Sequence, residues 1–175
     1  MGKYTPLLQW LIVVVLISIG IGLLFVTDLI SRVNEADVTK LSFLISGIFL
    51  FFTVRIGIGH YRLSSVEKPA KAFLEAQKKV SELCGFVSRI LVDLGIVGTV
   101  IGFIYMLSVS FGDVDASNTA GLRLALQNMG IGMSTALYTT AAGLICSVLL
   151  RIQLYSFMRH IGSKEGRYVK RDLSQ

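Results

Sequence analysis

Four hydroxyls stand where a membrane-spanning sequence has least use for them. Thr99 lies in LGIVGTVIGFIYML, residues 94–107, and Thr139, Thr140 and Ser147 lie in STALYTTAAGLICSVLL, residues 134–150. A neutral hydroxyl donates one proton and offers two lone pairs. Such groups can solvate a stripped cation or hand a proton along, but they carry no fixed charge. Glycines accompany them. On a helix, Gly95, Gly98 and Gly102 share one stripe with Thr99, and Gly98 and Gly102 form the G-x-x-x-G spacing that admits a second backbone. In the later run, Ala136, Thr140, Gly143 and Ser147 recur at helical steps beside a second stripe of Thr135, Thr139, Ala142 and Cys146. Leu137, Leu144, Val148 and Leu149 take most of the remaining surface. Each run therefore has a small, hydroxyl-bearing side and a bulky apolar side. Spacing alone leaves two readings open: a hydroxyl-lined ion path, or close helix packing with each hydroxyl satisfied on its own backbone.

The charged residues narrow the choice. Arg55, Asp93 and Arg151 lie at the inner boundary of apolar runs, and no carboxylate, lysine or histidine lies at mid-bilayer. Arg55 is close enough to the end of its run to snorkel to the headgroups. His60 and His160 stand at inner ends beside Tyr, Arg or Met and read as interface residues. An ion pathway needs a titratable or oxygen-rich relay within the membrane. If ions cross here, the carboxylate must come from another chain.

These runs belong to a chain of 175 residues that is 53% hydrophobic, with 16% charged residues, net charge +6 and a mean hydropathy of +0.69. Apolar stretches at 7–26, 41–58, 90–111 and 135–157 are long enough to cross a bilayer, so the expected fold is an all-α membrane protein with four transmembrane helices. The first stretch reads as an anchor rather than a cleaved leader: its apolar core is long, only Lys3 precedes it, and no A-x-A-like site follows. Lysine and arginine concentrate in 59–89 and after Phe157, whereas 112–134 holds Arg123 alone and the basic residues of 27–40 are offset by Asp28, Glu35 and Asp37. The positive-inside rule then puts both termini and 59–89 in the cytoplasm. The basic excess is topology, not a nucleic-acid interface. After Pro69, the residues Phe73, Val80, Leu83 and Val87 recur at helical spacing, so 59–89 is expected to be a short basic helical segment running into the third span, or else an interfacial helix on anionic lipid. The outer segment has a cap candidate at Asn118 and apolar Leu122, Leu126 and Met129, suggesting a short helix along the outer surface. Cys84 and Cys146 show neither metal nor disulfide spacing and read as small buried side chains. No nucleophile–base set, metal cluster or phosphate loop appears, so no enzyme activity, metal or cofactor is expected.

The two runs resemble the MotA/TolQ/ExbB proton-channel family. LGIVGTVIGFI is similar to that family's L-G-L-L-G-T-V-x-G-x-I, and ALYTTAAGLICSV to its A-L-x-x-T-x-x-G-L, in the same order across a short outer loop. The resemblance covers 90–157, with 158–175 left as a basic tail. It implies a homopentamer whose third and fourth spans line a central channel. That channel encloses a dimer of a MotB/TolR/ExbD-like single-span partner with a membrane aspartate. It further implies that Thr99 and Thr140 line the ion path and meet that aspartate, with H+ or Na+ as cargo. Two spans before the cytoplasmic segment are closer to MotA than to three-span members. Thr135 stands where ExbB and TolQ have a glutamate, and 59–89 is far shorter than the torque-transmitting portion of flagellar stators.

The leading expectation is an ion-driven motor subunit of the bacterial inner membrane that moves or strains its partner. Two others remain: a holin-like pore that needs no partner, and a non-conducting scaffold in which the glycines serve packing only. Nothing in the sequence chooses between H+ and Na+ or names the load.

Overall fold

A computed structural model of the chain describes residues 40–66, 71–111 and 119–172, together with Leu11, Val14, Val15, Ile17 and Ser18. Those residues are almost wholly helical: α1 is Leu41–Ser65, α2 is Lys71–Phe111 and α3 is Thr119–Asp172. Most of the expected first span, along with Pro69 and Asn118, lies outside the described residues.

Length decides what these helices can do. At 1.5 Å per residue, the 25 residues of α1, 41 of α2 and 54 of α3 extend about 38, 62 and 81 Å. The hydrocarbon core of a bilayer is only ~30 Å thick. All three contain a stretch long and apolar enough to cross it, so the chain is an all-α, multi-pass membrane protein. α2 and α3 must also project well beyond the lipid.

Two boundaries differ from the sequence reading. α1 continues past residue 58 to Ser65. The outer segment is no separate helix: from Thr119 it makes the opening turns of α3. Residues 71–89 run on into the third span as one uninterrupted helix, the continuation that the sequence led us to expect. The cause is an absence of breakers. Both prolines precede Lys71, and no described glycine has positive φ, so nothing past that point stops either helix internally. At the start of α1, Lys40 adopts φ 53° and its carbonyl accepts the first helical hydrogen bonds, from Phe43 at 3.2 Å and Leu44 at 3.4 Å.

The chain divides into two compact units, each drawing on all three helices. One gathers Ile48–Arg89 and the chain from Ser147 onward. In it Gly59 meets Phe157 and Lys164 binds the Val66 carbonyl, so α1 and α3 run parallel, while the Lys78–Glu165 and Gly85–Leu154 contacts set α2 antiparallel to α3. The seam of α2 in this unit is Leu74, Gln77, Ser81, Cys84 and Ser88, spaced by alternating steps of three and four. The expected apolar face lies partly elsewhere: Val87 is buried, Phe73 and Val80 are half-buried, and Leu83 is 52% exposed. In water, burial selects large apolar side chains. Along α2 it is instead the small side chains Ser81, Cys84 and Ser88 that mark where the helices meet. Cys84 and Cys146 are both buried and free. The second unit, which includes Ile90–Cys146, holds Thr99, Thr139 and Thr140.

Candidate ion-path site

Within that second unit, α2 and α3 touch backbone to backbone. A Cβ on Gly143 would stand 2.5 Å from the Leu91 carbonyl oxygen and 3.0 Å from the Gly95 Cα. One on Gly102 would come within 2.9 Å of the Ala136 nitrogen, and one on Gly98 within 2.6 Å of Thr139 Oγ1. Gly95 itself lies against the backbones of Thr139, Thr140 and Gly143. The contacts descend along α3 as they ascend α2, so the helices are antiparallel. All four glycines act in this seam, inside one chain.

Close approach brings the threonines together. Thr99 Oγ1 and Thr140 Oγ1 are in direct hydrogen-bond contact. Each also reaches the carbonyl four residues back on its own helix, Thr99 to Gly95 at 3.0 Å and Thr140 to Ala136 at 3.1 Å. Each reaches the carbonyl used by the other as well: Thr140 to Gly95 at 3.2 Å and Thr99 to Ala136 at 3.5 Å. The arrangement is reciprocal, because both helices place a small residue one turn before their threonine. Four oxygens converge on one spot between the helices, and each threonine hydroxyl has one proton to give. Both threonine side chains are half-buried, whereas Thr139 beside them is buried. Neutral oxygens at this density suit a monovalent cation or a proton hop, and the cluster contains no carboxylate.

The other candidate residues take different places. Thr139 is fully buried against Gly98, with its hydroxyl donating to the Ala136 carbonyl at 3.1 Å. Ser147 belongs to the first unit and is 1% exposed, with no hydrogen-bond partner for its Oγ. Arg55, Asp93 and Arg151 are exposed at the chain's own surface. Among the described residues, no group of three or more His, Cys, Asp or Glu is placed to hold a metal.

The first unit also contains polar residues that the sequence reading missed or misplaced. His60 and His160, expected at the interface, are buried and face one another with Nδ1 atoms 3.4 Å apart. They are interior because α1 and α3 continue as helices past the points where the spans were expected to end. Gln77 and Gln153 are buried nearby in sequence register, Gln153 one turn before Phe157 and two before His160. The available signal was their place on the small-residue seam, which hydropathy does not weigh.

No curated protein sequence and no solved structure matches the chain significantly. A family model does match, over residues 64–169, which takes in all of α2 and most of α3, with both threonines and all four seam glycines. That family is one of membrane channel subunits rather than enzymes, and the match covers well over half the sequence. The chain belongs to the MotA/TolQ/ExbB proton channel family.

Proposed function

We propose that the chain is the ion-conducting subunit of a bacterial inner-membrane motor. In this reading it assembles as a homopentamer around a dimer of a single-span, MotB/TolR/ExbD-like partner. Flow of H+ or Na+ turns or strains that partner. The observation carrying the proposal is the Thr99–Thr140 cluster: two hydroxyls and two carbonyl oxygens gathered along an edge of the α2–α3 seam. An uncharged cluster can lower the barrier for a cation but cannot hold one against hydration by itself. The partner's membrane aspartate supplies the missing charge, and an ion passes between acid and hydroxyls.

Thr99 and Thr140 line the path. Thr139 and the glycines keep α2 and α3 close enough for the cluster to exist. Residues 7–26 supply the fourth span, both termini lie in the cytoplasm, and Arg55, Asp93 and Arg151 sit at the inner boundary. No cofactor is required, because the ion is cargo.

The test is reconstitution of the chain in proteoliposomes with and without a single-span, aspartate-bearing partner. Ion uptake that requires the partner, and is lost when its membrane aspartate becomes asparagine, is the expected result. Leakage by the chain alone would favour a holin-like pore. A tight complex with no uptake under any driving force would favour a scaffold.

A further inference from the structure

The family reading leaves the histidines of the first unit without a role. His60 on α1 is 0% exposed and His160 on α3 is 6% exposed, and their Nδ1 atoms lie 3.4 Å apart. Their ring centroids are 5.6 Å apart with planes inclined by only 22°. The centroid distance exceeds the nitrogen distance by about the width of one imidazole. The two nitrogens therefore lie between the rings, pointing head-on. A metal ion held in line by two imidazoles at about 2.0 Å each would need the nitrogens about 4 Å apart, more than the 3.4 Å found. The head-on arrangement suits one proton on the line between them.

Hydrogen-bond accounting fixes which ring gives it. His60 Nε2 is buried and has no hydrogen-bond partner. A bare lone pair is easier to leave unpaired in an interior than an N–H. The neutral pair is then His60 Nδ1–H donating to His160 Nδ1, and the next proton to arrive has His60 Nε2 as its landing place. Phe157 closes one side of His60, with ring centroids 5.1 Å apart.

Among the described residues, no carboxylate is buried beside the pair to offer that second proton a counter-charge. From α2, the groups on the buried seam are Gln77 and the Cys84 thiol, while Glu75 and Glu82 are exposed. On α3, Glu165 is bound to Lys78 at 2.7 Å and the Lys164 ammonium donates to the Val66 carbonyl at 2.9 Å. Arg62 of α1 and Arg159 of α3 are exposed, and they add positive charge to the neighbourhood. Both Gln153 amide atoms are buried without partners, so this core is polar but already short of hydrogen bonds.

We propose that His60 and His160 form a proton-sensing clasp, which ties α1 to α3 while the pair holds a single shared proton and loosens when it takes another. Histidine titrates within the range that cells traverse on acidification. Among the described residues no buried acid neutralises a charged pair, so hydrated, separated rings take up the second proton more readily than the clasped pair, and a third proton would set two imidazolium ions head-on. Falling pH therefore favours separation of the helices. The sensed compartment is the cytoplasm if the orientation proposed above holds; the clasp itself does not depend on ion conduction.

Spin labels at Arg62→Cys and Arg159→Cys, with labelled full-length chain diluted into unlabelled chain in lipid nanodiscs, read the α1–α3 distance. Between about pH 7.5 and about pH 5, the distance should lengthen by several ångströms and broaden. In the background of His60→Gln with His160→Gln, the change should vanish. An unchanged distance in the parent, or the same change in the Gln background, overturns the proposal. Nitrogen NMR of imidazole-labelled unsubstituted chain tests it without any variant at the histidines. At neutral pH one ring should be the Nδ1–H tautomer and the other Nε2–H, coupled through a hydrogen bond. Two rings in the tautomer mixture of free histidine would refute it. Because neither readout measures flux, failure here is distinguishable from failure of the motor reading.

Discussion

At Gly143 a methyl group would meet the Leu91 carbonyl oxygen at 2.5 Å, and that oxygen belongs to backbone that cannot swing aside. Gly162, on the same helix, has nothing within 4 Å of the corresponding position. The two glycines should respond oppositely to alanine. Gly143→Ala overpacks the seam and should cost about 1–3 kcal/mol. Gly162→Ala removes a flexible residue from an exposed helical turn and should gain about 0.5–1 kcal/mol. Thermal unfolding in detergent, monitored by helicity, measures both. That glycines meet other backbones is readable from G-x-x-x-G spacing. Which of two adjacent threonines joins the oxygen cluster is not. Thr139 and Thr140 lie on neighbouring stripes of α3, and the stripes are equally small. Only the register against α2 turns Thr139 onto Gly98 and Thr140 onto Thr99.

Among the elements, α2 carries the clearest lesson about reading a membrane helix. Its apolar residues repeat at helical spacing, which in a soluble protein would locate the core. Here the seam is Leu74, Gln77, Ser81, Cys84 and Ser88, and Leu83 faces outward. Ser81 and Ser88 can be buried because each hydroxyl binds its own helix, at the Lys78 and Gly85 carbonyls. Gln153 of α3 has no such outlet, and both its amide atoms lack partners. An unpaired buried polar group costs about 1–3 kcal/mol. Gln153→Leu should therefore raise stability by an amount of that order, read as a higher unfolding temperature. A fall would show that the amide has a partner after all. The extension of α1 and α3 past their expected ends was likewise hidden. Hydropathy reports where lipid stops, whereas a helix stops only where a breaker or cap stops it. The His60–His160 contact joins residues a hundred positions apart, beyond any local pattern.

For the whole molecule, the sequence carried class and family further than arrangement. Long apolar runs declared a multi-pass membrane protein, and two linked motifs pointed to the MotA/TolQ/ExbB proton channel family, now matched over residues 64–169. Subunit number and partner are properties of an assembly, and one chain's periodicity contains neither. The central claim is that ions pass the Thr99–Thr140 cluster. Folding and conduction separate cleanly there, because interhelical hydrogen bonds in membranes contribute only about 0.6–2 kcal/mol and valine keeps threonine's shape. The decisive measurement is ion uptake by proteoliposomes holding the chain and its partner, with Thr99→Val plus Thr140→Val compared against Thr99→Ser plus Thr140→Ser. Uptake should fall at least tenfold with valine, equivalent to about 1.4 kcal/mol or more on the barrier, and largely survive with serine while the complex stays assembled. Undiminished uptake through an assembled valine complex would contradict the account.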